Sequence, residues 1–230
     1  MERIILIETS AAACSTALVQ DGAIVSTRIC ADARQHSALT APMIKEMLDE
    51  CGISARDCSA VCVSKGPGSY TGLRVGVSSA KGLCFGAGLP LLSVGTLDLL
   101  AAQAADLGVI PEGCRYIIPL IDARRMEVYT AVFDTDGNCL DQVRNLIVDA
   151  GSFAGQLSEG PVLFIGDAAD KCKEVLAGPN AFFHQCNPLA QYMLRPALKA
   201  YKEKRFEDIA YFEPLYLKQF IATVSKKKLF

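Results

Sequence analysis

The order of the apolar segments is what most constrains this chain. Ile4-Ile5-Leu6-Ile7 is a continuous apolar run stopped by Glu8, the pattern of a buried strand. Residues 14–19 and 23–30 follow after short turns, the second built on Asp21-Gly22, so three strands open the chain. Helical spacing begins near His36, places Leu39, Met43, Ile44, Met47 and Leu48 on one face, and ends at Gly52. A short strand over 60–64, a helix over 73–85 and a strand over 89–94 come next. A helix running to about Leu107, with Thr96 read as its N-cap, closes this half. Three hairpin-joined strands followed by alternating helix and strand are not a doubly wound order. They predict an α/β fold with a mixed sheet and helices packed on its faces.

A second unit starts after Gly108. Strands over 115–122 and 127–134 lead to a hairpin turn at Asp136-Gly137-Asn138 and a third strand over 139–148. A helix near 152–157, a strand over 162–165 and a helix over 168–176 repeat the order of the first half, although local identity between the halves is negligible. The pattern therefore predicts two lobes, 1–108 and 109–230, with the C-terminal segment free to return to the first.

Composition narrows the function classes. A hydrophobic fraction of 51% with 21% charged residues describes a globular protein with a substantial core. The net charge of −2 offers no electrostatic drive for binding a nucleic-acid backbone alone, and the terminal Lys226-Lys227-Lys228 reads as a solvated end. Ten cysteines could suggest a disulfide framework, but the first apolar run is too short for a signal peptide or membrane span. A cytoplasmic chain with reduced thiols is expected. Paired zinc spacing is missing, and Cys14, Cys62 and Cys84 sit in apolar runs, where a thiol behaves as a small hydrophobe.

The most informative stretch is Lys65-Gly66-Pro67-Gly68-Ser69-Tyr70-Thr71-Gly72-Leu73-Arg74-Val75-Gly76-Val77: a strand end, a glycine-rich loop and a helix start. Its glycines allow positive φ and close backbone approach, and free N–H groups at a helix start attract anions. It is not a Walker A loop, because no Gly-Lys-Ser/Thr follows at the required spacing. The bland reading of Val75, Gly76 and Ala80 is a helix packed closely on its neighbour.

Taken in order, these motifs resemble the TsaB (YeaZ) family. The stretch from Ile4 to Ser10 is similar to that family's opening strand and turn, Arg34-Gln35-His36-Ser37 to its helix entry, and Gly66 to Gly76 to its signature. Asp122-Ala123-Arg124-Arg125-Met126-Glu127-Val128-Tyr129 resembles the element opening the second lobe, and Pro214-Leu215-Tyr216-Leu217-Lys218 the C-terminal end. Glu8 departs from the usual Asp. The resemblance implies a duplicated actin/Hsp70-like (ASKHA, ribonuclease H-like) fold. It also implies a non-catalytic role in forming tRNA threonylcarbamoyladenosine, as partner of the TsaD transferase and with a P-loop ATPase, TsaE, as third component.

The catalytic relatives supply a test. In the transferase, the strand after the signature helix leads into Val-Asn-His-Leu-Glu-Gly-His, whose two histidines hold a metal. Here the corresponding stretch is Val94-Gly95-Thr96-Leu97-Asp98-Leu99-Leu100, and Thr96 and Leu100 stand where histidines are needed. Only His36 and His184 exist, far apart, so no catalytic residue and no metal site is expected. Asp167, in Gly166-Asp167-Ala168-Ala169-Asp170, would repel phosphates where nucleotide-binding members of the fold hold adenosine. No cofactor is therefore expected to be required, with weak nucleotide binding left open. The alternative is an ASKHA-type enzyme acting alone, a phosphotransferase or a glycoprotein peptidase. For the partner role, the resemblance implies an interface on the first lobe's helices. Its candidates are His36, Met43, Met47, Val75, Gly76, Ser79 and Ala80, with a homodimer when the chain is alone and tRNA contacted only within the complex.

Overall fold

The computed structural model describes residues 1–218. Its first half runs β1 (Arg3–Glu8), β2 (Cys14–Gln20), β3 (Ala23–Cys30), α1 (His36–Glu50), β4 (Ala60–Gly66), α2 (Tyr70–Ala87), β5 (Leu91–Gly95) and α3 (Thr96–Asp106). The second runs β6 (Tyr116–Asp122), β7 (Glu127–Thr130), β8 (Arg144–Ile147), α4 (Ala154–Glu159), β9 (Val162–Gly166), α5 (Ala169–Lys173), β10 (Ala181–Gln185) and α6 (Leu194–Lys202). Both halves form a five-stranded sheet of identical topology, β3-β2-β1-β4-β5 and β8-β7-β6-β9-β10. In each, the first three strands pair antiparallel and the last two join parallel to the first. The duplicated α/β fold is therefore present in full.

Several boundaries move. The third strand of the second half is shorter than its apolar pattern predicted: Cys139 bridges Phe133 only singly, and the ladder resumes at Arg144. The repeat also extends further than its pattern revealed, because β10 and α6 complete it. Thr96 does not cap α3. Gly95 holds the N-cap position, and the Thr96 hydroxyl lies 3.0 Å from that of Ser64.

Alternation along β1 explains its uninterrupted apolar run. Ile4 and Leu6 face one cluster, Ile5 and Ile7 another. The second cluster lies under α1 and α2 (Ile44, Met47, Val77, Ala80); a third lies under α4 and α5 on the other sheet. The first is shared between the sheets. Leu97, Leu100 and Ala104 of α3 meet Ile117 and Ile121 of β6 and Leu163 and Ile165 of β9, while Ala197 and Ala200 of α6 join from the other side. The chain then returns along the first lobe: Glu207 N–H donates to the Leu91 carbonyl (2.8 Å) and Leu215 N–H to that of Lys65 (2.7 Å).

All ten cysteines are free. Burial pushes the Cys58 and Cys84 thiols up to about 11 and Cys186 to about 12, the behaviour of inert packing groups. Among the described residues no helix is long and apolar enough to cross a membrane. The lysines at 226–228 lie outside the described residues.

Candidate functional site

The signature loop is built by close approach. Gly66 ends β4 at φ +104, and Ser69 caps α2 by accepting from Gly72 N–H (3.3 Å). A Cβ added at Gly68 would fall closer than 3.0 Å to the Ser10 carbonyl oxygen; one at Gly72 would do the same to that of Thr9, and one at Gly76 to the Thr9 hydroxyl. Ser69 N–H donates to the Ser10 carbonyl (2.7 Å), and the Thr9 hydroxyl to the Gly72 carbonyl (2.8 Å). These glycines therefore seat the first two turns of α2 against the end of β1. The loop N–H groups of Ser69, Gly72 and Leu73 are engaged inside the protein.

Pro67, Tyr70 and Thr71 line the cleft between the lobes. Arg74 donates to the Tyr70 hydroxyl (2.7 Å) with its guanidinium 4.2 Å from the ring centroid, and Tyr216 packs on the same ring at 4.5 Å. The C-terminal segment thus braces the signature loop and continues across the cleft, where Lys218 pairs with Glu127 and donates to the Ala123 carbonyl (3.2 Å).

The cleft encloses about 600 Å³, with Ser10, Ser69, Asp122, Arg124 and Asp167 among its walls. Two carboxyls lie in its neighbourhood. Glu8, two residues before the Ser10 wall, is fully buried, and desolvation pushes its carboxyl up. Asp167 accepts from Asp122 N–H (2.8 Å), and burial pushes it up to about 6. Asp122 is paired with Lys171, and Lys218 with Glu127, so both lysines are engaged by carboxylates rather than turned toward a ligand. Arg124 adds a cation, so the walls carry mixed charge. Thr96 and Leu100, where the catalytic relatives need histidines, are fully buried, Leu100 within the shared core. Among the described residues, no group of three or more His, Cys, Asp or Glu is arranged to hold a metal.

The helical face differs in detail from the sequence expectation. His36, Met43, Met47, Gly76 and Ala80 are buried and point into the first lobe itself, so they are unavailable to a partner. His36 is held by its Nε2, 3.1 Å from the Ala12 carbonyl oxygen. Val75 and Ser79 are half-buried at the edge. The outward surface includes Ala38, Ala41 and Pro42 of α1 with Ser78, Gly82 and Phe85 of α2, bordered by the charged Lys45, Glu46 and Asp49. Between the helices runs an apolar groove of about 630 Å³, floored by Ile44 and Leu48 and walled by Ala41, Ser79, Gly82, Leu83 and Gly86. Phe85 is 86% exposed, an unusual place for a phenyl ring. It escaped the sequence reading, although the spacing of Ser78, Gly82 and Phe85 by four and three residues carried the signal.

A family model described as TsaD, tRNA N6-adenosine threonylcarbamoyltransferase, matches residues 29–224. The chain is 30% identical over 223 residues to the Bacillus subtilis protein called tRNA threonylcarbamoyladenosine biosynthesis protein TsaB, covering 94% of this chain and 93% of that one. It is 38% identical over 137 residues to the Escherichia coli protein of the same description, covering 59% and 57%. A Pseudomonas aeruginosa crystal structure, described as an uncharacterized protein with similarity to peptidase YEAZ, superposes with a TM-score of 0.79 at 25% identity. That match covers 95% of this chain and 100% of the other.

Proposed function

The chain belongs to the TsaB (YeaZ) family of tRNA threonylcarbamoyladenosine biosynthesis, and we propose that it works there as a non-catalytic, cytoplasmic subunit that docks on a TsaD-like transferase. The observation carrying this reading is the outer face of α1 and α2, with its apolar groove and exposed Phe85 between small residues. Small side chains let a partner helix approach closely, and the phenyl ring supplies an anchor of the size that dominates protein interfaces. The filled positions of Thr96 and Leu100 support a role without a metal. The same face pairs two copies of the chain when the transferase is absent, a TsaE-like ATPase joins the assembly, and tRNA is met only within it.

The test is threonylcarbamoyl transfer to tRNA by TsaD and TsaE, with this chain, without it, and with Gly82→Arg. Nothing lies within 4 Å of a Cβ at Gly82, so that variant keeps the fold while placing a long cation in the groove. Transfer should require the wild-type chain and fall at least tenfold with the variant. Full activity of the variant, or turnover by the chain alone, would overturn the proposal.

A further inference from the structure

Cys14 opens β2 and Cys30 ends β3, and the two are register partners across the antiparallel pair. Among the described strand pairings no other two cysteines stand opposite one another. Directly opposed residues on antiparallel strands have Cα atoms roughly 4.5–5.5 Å apart, within the roughly 4.4–6.8 Å that a disulfide spans. We propose that Cys14 and Cys30 are a redox dithiol, converted to a cross-strand disulfide by low-molecular-weight disulfides.

The two thiols divide the chemistry by access. Cys14 is 1% exposed, whereas Cys30 is half-buried at the strand end, its sulfur 3.8 Å from the Asp32 carbonyl oxygen. Burial first, then the neighbouring Cys30, pushes the Cys14 thiol up to about 11, which makes it a poor first nucleophile. Cys30 therefore meets the reagent RS–SR: its thiolate attacks one sulfur, the S–S bond breaks, and RS⁻ leaves and takes up a proton. Cys14, deprotonated, then attacks the Cys30 sulfur of the mixed disulfide and expels the second RS⁻. The balance is two protein S–H and one RS–SR giving one protein S–S and two RSH. The second step is intramolecular, so proximity offsets the weak acidity of the Cys14 thiol. Cys30 also lies six residues before His36, the start of α1, so the bond would form beneath the entry to that helix. This inference stands independently of the docking role.

The folded chain is incubated with oxidised glutathione, remaining thiols are alkylated, and the protein is digested with trypsin without reductant. Cleavage at Arg3, Arg28 and Arg34 puts the two cysteines on separate peptides, 4–28 and 29–34. The expected product is these two peptides linked by a disulfide, with neither Cys14 nor Cys30 alkylated. Cys14→Ser should instead accumulate the glutathione adduct at Cys30. A wild-type chain that keeps a stable glutathione adduct at Cys30, or returns both cysteines alkylated, would overturn the inference.

Discussion

Gly72→Ala and Gly82→Ala place the same methyl group on the same helix, and the structure gives them opposite signs. In an exposed helix interior, alanine in place of glycine gains up to about 1 kcal/mol. Gly82 collects that gain in full, because a Cβ there meets nothing within 4 Å. At Gly72 the methyl group would come closer than 3.0 Å to the Thr9 carbonyl oxygen, where ordinary contact begins near 3.4 Å. Thr9 is 1% exposed, and its hydroxyl donates to the Gly72 carbonyl, so the backbone that must yield is locked from both sides. Overpacking of this kind costs about 1–3 kcal/mol, and loss of the hydrogen bond adds about 1 kcal/mol. Set against the helical gain, the net is a destabilisation of about 1–3 kcal/mol, or a fall in Tm of roughly 2–12 °C at about 2–4 °C per kcal/mol. Gly82→Ala should raise Tm by about 2–4 °C. Thermal unfolding of the three proteins by circular dichroism measures both. A Gly72→Ala variant as stable as wild type would refute the close-packing account of the signature and return its glycines to ligand binding.

Two further outcomes follow from the cleft. Burial holds the Asp167 carboxyl at about 6 in the folded chain against an ordinary value of 3.8, so between these values the folded state holds the extra proton. Its contribution favours folding below about pH 4 and is lost as pH rises through 6, so Asp167→Asn, which keeps the acceptor for Asp122 N–H, should add up to about 3 kcal/mol at pH 8 and almost nothing at pH 4. Denaturant titrations at both pH values decide it, and equal effects would rule out burial of the charge as the cause. Tyr216→Ala should detach the C-terminal segment at a cost of about 1 kcal/mol from lost stacking on Tyr70. Limited trypsin digestion should then cut after Lys218 faster than in wild type, and an unchanged rate would show that the segment is held without the Tyr70 contact.

Legibility in the sequence followed the range of the interactions. The run at Ile4–Ile7 and the turn at Asp21-Gly22 are local signals, and they placed the first three strands. β10 was not legible, because Ala181-Phe182-Phe183-His184-Gln185 alternates weakly and acquires its identity by pairing with β9. α6 escaped because its inward residues, Ala197 and Ala200, are small. The glycines of the signature were visible but not their reason, since the carbonyl groups they accommodate belong to Thr9 and Ser10, about sixty residues earlier. Met43, Met47 and Ala80 were named as interface candidates because the resemblance points to these helices, and periodicity marks an apolar stripe without saying which sheet or partner it meets. The outward residues of that site are small or, like Phe85, lie off the main stripe.

The sharing of α3 and α6 between the sheets has a mechanical consequence. A swing of one sheet against the other would tear Leu97 and Leu100 from Ile117 and Leu163. Exposing even a few such side chains costs several kcal/mol at about 1.5–3 kcal/mol each. The shared core acts as a weld: whatever grips α1 and α2 takes hold of the second sheet through α3 and α6.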